Sequence, residues 1–184
     1  MMMPFALHDM TTVPPGYRAM VTSICDKLYG PPGGIGVAYL TVDEARLRAG
    51  EHHRRPGLHV DGVGAWGGGG GGWGASGFVL ACTVQPPIAW TGRVKGWPGP
   101  DGDCSDLAAA LPRDGRRLAT HEAYLCGPLL VHASTPMGRP GPRQFLRISL
   151  PNICPWFEGY SESPYGVKPT GPILPRRVAM EYRP

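Results

Sequence analysis

Proline and glycine set the limits on what this chain can become. With 28 glycines and 22 prolines in 184 residues, turn signals interrupt most apolar runs before they reach helix length. Such a composition can also mean disorder. Here the glycines cluster and the prolines punctuate runs of strand length, among them residues 35–40 (IGVAYL), 77–84 (GFVLACTV) and 88–97. A loop-rich β protein is therefore predicted, arranged as an antiparallel jelly-roll barrel with short N-terminal helices outside it.

Two stretches predict those helices. After an irregular lead-in over residues 1–15, Tyr17, Met20, Val21, Ile24 and Leu28 recur at three- and four-residue spacing, and Gly30 with Pro31-Pro32 ends the pattern. Thr41-Val42-Asp43-Glu44 then has the form of a capping box, followed by ARLRA and Gly50, which predicts a short second helix. His52, His53, Arg54 and Arg55 read as a solvated basic turn. Six consecutive glycines lie between Trp66 and Trp73. They lack the lysine and Ser/Thr of a phosphate-binding loop, and fit either a flap whose tryptophans cover a neighbouring site or a passive linker with incidental tryptophans. Residues 101–106 (DGDCSD) have no glycine or closing glutamate at the offsets a calcium loop requires, so they predict a turn before a short helix capped by Ser105.

Residues 127–150 carry the clearest chemistry. Leu129, Leu130 and Val131 lead into His132, a Pro/Gly-rich loop follows, and alternation then sets Arg143, Phe145, Arg147 and Ser149 on one side of a strand. Gln144, Leu146, Ile148 and Leu150 take the other side. Arginines facing inward need an anion to meet them, because a buried unpaired charge is costly. Upstream, in GLHVDG, His59 and Asp61 are two residues apart and share one face of a strand. With His132 they make two imidazoles and a carboxylate, a set that leaves positions open on an octahedral ion. His121 is a weaker candidate ligand. Taken singly, each of these residues also fits an ordinary structural role.

The order His-x-Asp, a distant His, then Arg-x-Ser resembles the Fe(II)/2-oxoglutarate-dependent dioxygenase family, over residues 57–151 only. The resemblance implies a double-stranded β-helix, a cupin-like barrel, with His59, Asp61 and His132 binding Fe(II). It implies that Arg147, helped by the Ser149 hydroxyl, pairs with the far carboxylate of 2-oxoglutarate; Arg143, nearer the distal histidine, is the competing assignment. The implied activity is hydroxylation of a small-molecule substrate by O2, with release of succinate and CO2. Asp61 separates the chain from the halogenating branch, which lacks that carboxylate. Arg139, Arg143 and the flap tryptophans suit an anionic or aromatic substrate, and nucleic-acid or protein substrates stay open. A non-catalytic cupin-like or capsid-like jelly roll, and a metalloenzyme that does not use 2-oxoglutarate, are the competing readings.

Length and charge bound the rest. A chain of 184 residues with 42% hydrophobic content is expected to form one domain. Residues 1–56 would be helical lead-in and support, 57–151 the motif-bearing core and 152–184 an extended tail. The net charge of +4 comes from interleaved acids and bases, so it does not by itself indicate nucleic acid. Cys25, Cys82, Cys104, Cys126 and Cys154 are odd in number and form no Cys-x-x-Cys pair, which favours a reducing, cytoplasmic setting. No run reaches the ~20 apolar residues of a membrane span, and the start lacks the pattern of a secretory leader.

Overall fold

Leu146 and Ile148 on one side, Arg143, Phe145, Arg147 and Ser149 on the other: this division of a single strand organises the computed structural model. Residues 2–31, 33–61, 77–99, 102–151, 156–159 and 162–174 are described by it. In chain order the elements are β1 (Met2–Ala6), helix α1 (Pro15–Tyr29), β2 (Val37–Leu47), β3 (Phe78–Cys82), β4 (Ile88–Trp90), β5 (Arg116–Arg117), β6 (Tyr124–Cys126), β7 (Val131–Ala133), β8 (Gly141–Ser149), β9 (Trp156–Phe157) and β10 (Ile173–Leu174). The fold is mainly β, with two antiparallel sheets. A five-stranded sheet runs β1-β2-β8-β3-β6, a three-stranded sheet runs β5-β4-β7, and β9 and β10 form a parallel pair. Among the described residues the strands do not close into a barrel.

The two faces of the large sheet have different jobs. Leu146 and Ile148 of β8 join Met3, Phe5, Leu40, Val42 and Val79 in a buried core against Val21 and Cys25 of α1. The helix forms where its spacing predicts. Pro15 opens it at a position where a missing N–H costs nothing, and Gly30, at φ 76°, closes it. Each large apolar side chain buried there contributes roughly 1.5–3 kcal/mol. The opposite face, carrying Phe78, Leu80, Phe145 and the two arginines, lies against the small sheet.

Several sequence expectations give way here. The capping-box segment 41–50 is not a helix; Thr41 to Leu47 continue β2 in register with β8, from Tyr39 opposite Ser149 to Leu47 opposite Gly141. Glu44 does not cap a helix but accepts from the Tyr17 hydroxyl (2.9 Å) and from Gln144 Nε2 (2.6 Å). A nine-residue ladder outweighs a local capping preference. The lead-in is likewise not irregular, because residues 2–6 pair with β2 as an edge strand. The first 56 residues thus supply two strands of the large sheet as well as its helix. Residues 91–97 are bends and loop rather than a continuation of β4. The short helix after residue 104 is a 3-10 turn, Ser105–Ala110, held by Asp103 Oδ1, which accepts from Ser105 N (2.9 Å) and Oγ (2.7 Å). Trp156 is buried and stacks on Tyr39 with ring centroids 5.2 Å apart, so this part of the tail covers the large sheet. Trp66, Trp73 and the glycine run lie outside the described residues. Among the described residues no helix is long and apolar enough to cross a membrane, and Cys25, Cys82, Cys104 and Cys126 are free and buried. Burial pushes the Cys25 thiol up to about 11 and the Cys126 thiol up to about 12, so neither is a ready nucleophile.

Candidate metal centre

His59 and His132 face each other across an antiparallel bridge. The His59 amide donates to the His132 carbonyl (3.0 Å) and the His132 amide to the His59 carbonyl (2.9 Å), which extends the small sheet beyond β7. Directly opposed residues project to the same side, and the two imidazole centroids are 4.3 Å apart. Asp61, two residues after His59, shares that side. One ligand atom from each of His59, Asp61 and His132 lies within 4.8 Å of the others, and all three residues are buried. The structure thus brings together the three residues that the sequence singled out.

Both imidazoles are oriented by backbone carbonyls. His59 Nδ1 lies 3.0 Å from the Gly57 carbonyl oxygen and His132 Nδ1 lies 2.9 Å from that of Leu130. A carbonyl can only accept, so Nδ1 carries the hydrogen in each ring and, in the neutral form, Nε2 presents its lone pair to the cluster. Burial, then the neighbouring His132, depresses His59 to about 4, so it is neutral at ordinary pH. Burial alone would raise the Asp61 carboxyl, but Arg147, with His132 and His59, holds it below the usual range and it stays ionised. Two imidazoles and one carboxylate, enclosed and mutually close, fit a divalent first-row cation.

Asp61 has a second partner. Arg147 Nη1 donates to Asp61 Oδ2 at 2.9 Å, and both side chains are almost fully buried. The same oxygen is 3.8 Å from His132 Nε2. Arg143, four residues earlier on the same face, donates from Nε to the Val84 carbonyl (2.9 Å) and from Nη2 to that of Gln85 (3.2 Å). Its Nη1 is buried without a hydrogen-bond partner, as is the Ser134 hydroxyl two residues beyond His132. These groups line one cavity with the three candidate ligands, with about 40 Å³ of open space. Ser149 is buried on the same strand face, level with Tyr39 and Phe78, and does not line that cavity.

His121 is not part of the cluster; it sits in a turn at φ 60° and lines a separate cleft between α1 and the large sheet. His53 and Arg54 are not a solvated turn. His53 Nε2 is 3.2 Å from Asp43 Oδ1, Arg54 Nη1 is 3.0 Å from Asp43 Oδ2, and the Arg54 guanidinium lies 4.9 Å from the centroid of the Phe145 ring. Reading residues 41–50 as a helix hid this, because only in β2 does Asp43 reach the site side of the sheet. Comparisons with protein-family models, curated proteins and solved structures return no match to this chain.

Two expected results follow from the geometry. Metal-free protein is fully stabilised by its neutral His59 above about pH 6.5; as pH falls from there towards 4 the unfolded chain takes up a proton the native state refuses. Urea midpoints should therefore drop across that window, by up to about 3 kcal/mol in stability, and an equal drop in His59→Gln would refute the assignment. Gly102 has φ +73°, and a Cβ there would run into the carbonyl oxygen of Val60, the residue between His59 and Asp61. Its carbonyl also accepts from Val60 N at 2.9 Å. Gly102→Ala should cost ~1–3 kcal/mol and weaken metal binding. Unchanged Zn(II) affinity would mean this contact does not set the His59–Asp61 spacing.

Proposed function

We propose that the protein is a mononuclear Fe(II)- and 2-oxoglutarate-dependent oxygenase of the double-stranded β-helix type, hydroxylating a small molecule. The observation that carries this reading is the convergence of His59, Asp61 and His132, from separate segments, in a cavity that also holds two inward arginines. When bound, the iron and 2-oxoglutarate couple O2-driven decarboxylation, yielding succinate and CO2, to oxidation of a substrate C–H bond.

The chain's own contribution is positioning and exclusion of water. The backbone carbonyls of Gly57 and Leu130 lock both imidazole rings with Nε2 forward. Arg147 orients the Asp61 carboxylate, and is thereby committed to the metal end of the cavity. Arg143 is the better partner for the far carboxylate of 2-oxoglutarate: it lines the same cavity, is paired with no carboxylate in the way that Arg147 is with Asp61, and touches only the Val84 and Gln85 carbonyls and the Cys82 thiol. Arg143, rather than Arg147 with Ser149, then pairs with that carboxylate. The open space accommodates an ion and a water or two, so the cosubstrate has to displace the half-buried side chains of Arg54 and Arg55 that line the same cavity.

Anaerobic addition of Fe(II) and then 2-oxoglutarate tests the reading. A visible charge-transfer absorption is expected in the wild type and not in His132→Ala. Metal binding without that band would favour a metalloenzyme with other cosubstrates. One observation supports a non-catalytic alternative, namely that the Arg147–Asp61 pair already neutralises the carboxylate. Failure to bind Fe(II), Zn(II) or Mn(II) would establish it.

A further inference from the structure

Interleaved over most of the chain, acids and bases part company on two segments. Residues 91–97 carry Arg93 and Lys95 with no acid, and residues 112–117 carry Arg113, Arg116 and Arg117 with Asp114 alone against them. The remainder of the chain holds equal numbers of each sign, so the whole excess of +4 falls on these two segments. Pairing of β4 with β5 brings them together, with Ile88 opposite Arg117 and Ala89 opposite Arg116. Past the paired residues, Trp90 Nε1 donates to the Pro112 carbonyl (3.2 Å), and Gly115 lies so close to the Trp90 ring that a Cβ has no room there. Gly96 is packed against Leu107, which joins Trp90 on one core cluster. Both segments are thus fixed around Trp90.

β5 is the outer strand of the small sheet, and among the described residues nothing pairs with its free edge. Arg93, Lys95, Arg113 and Arg116 are exposed and, among the described residues, form no hydrogen bond or ion pair. Arg117, also exposed, donates to the Gln85 side-chain oxygen at 3.3 Å. In the same segment as Arg93 and Lys95, Trp97 is 73% exposed, and no other large apolar side chain of either segment is exposed. Charges commonly guard a free sheet edge, but they do not account for an indole kept in solvent among them. Unpaired cations with an exposed aromatic ring meet the two needs of a single nucleic-acid strand, neutralised phosphates and a stacked base. A membrane surface calls for several exposed apolar side chains where this edge offers one. We propose that this edge of the small sheet binds single-stranded nucleic acid without regard to sequence, its arginines and lysine on the phosphates and Trp97 stacked on a base. None of these six residues lines the cavity of the metal centre, so the site stands whether or not the oxygenase reading does.

Fluorescence anisotropy of short labelled oligothymidylate and oligouridylate, with the full chain and no added metal, tests the site. Binding should weaken as salt rises, with a log–log slope of ~0.7 per phosphate neutralised. Arg113→Gln combined with Arg116→Gln should lower that slope by ~1–1.5 and weaken binding at low salt by on the order of ten-fold or more. Trp97→Ala should weaken binding by about five- to a hundred-fold and leave the slope unchanged. Both variants alter exposed side chains, and an unchanged urea midpoint in each shows that the loss is not unfolding. No binding to either strand, a duplex bound more tightly than both, or wild-type affinity in either variant overturns the proposal. Binding to phosphatidylserine vesicles with none to the oligonucleotides overturns it as well. The charge-transfer absorption with Fe(II) and 2-oxoglutarate, present or absent, bears on the oxygenase reading alone.

Discussion

Asp61→Ala protein is expected to bind no divalent metal and to unfold at a much lower denaturant concentration than the wild type. Both effects have one origin. The carboxylate is the single anionic member of the candidate ligand set, and it also neutralises Arg147 at 2.9 Å in a buried setting. Removing it leaves a guanidinium enclosed without its counter-charge, at a cost of about 3–5 kcal/mol. Because this loss belongs to the metal-free protein, it separates from the metal effect. The double variant Asp61→Ala with Arg147→Met removes the stranded charge, and should recover most of the stability while still binding no metal. Urea titration with and without Zn(II) checks the three proteins together. A single Asp61→Ala variant as stable as the wild type would show that the pair does not hold the two sheets in place, and retained Zn(II) affinity would dismiss the ligand assignment.

The second large effect distinguishes the arginines of β8. Arg143→Ala should weaken 2-oxoglutarate binding by about 2–5 kcal/mol, roughly thirty-fold or more, with little change in Zn(II) affinity. Arg147→Ala should act differently, since it frees Asp61 from its partner and strips a buried charge of its neutraliser. Its main signature is lower stability of the metal-free protein, largely restored when Zn(II) takes over the carboxylate. Calorimetric titration of 2-oxoglutarate into the Zn(II) forms, without oxygen, reads both variants. If Arg147→Ala loses 2-oxoglutarate affinity and Arg143→Ala does not, the roles are reversed and the Arg147–Asp61 contact yields to the cosubstrate on binding.

The alternation of residues 143–149 was enough to predict that two arginines share a buried face with Phe145, because a strand's period of two is a local property of the backbone. His59-x-Asp61 placed two ligand types on one side for the same reason. The spacing of Tyr17, Val21, Ile24 and Leu28 likewise declared its helix. Three features were not legible. Residues 41–50 carry a local helix signal, and only pairing with β8, about a hundred residues away, makes them a strand. That strand brings Asp43 to the site side of the sheet, where it orders His53 and Arg54, which as a run of adjacent polar residues carry only a turn signal. The division of labour between Arg143 and Arg147 was hidden as well. It depends on which carboxylate each guanidinium can reach across the gap between two sheets.

What the sequence determined alone was therefore periodicity: which side chains travel together along one element and which turns interrupt them. The tertiary structure decided which elements meet. Opposing His59 to His132 and Asp61 to Arg147 requires contacts between residues more than seventy positions apart, whose free energy comes from burial and charge neutralisation that no short window of sequence contains.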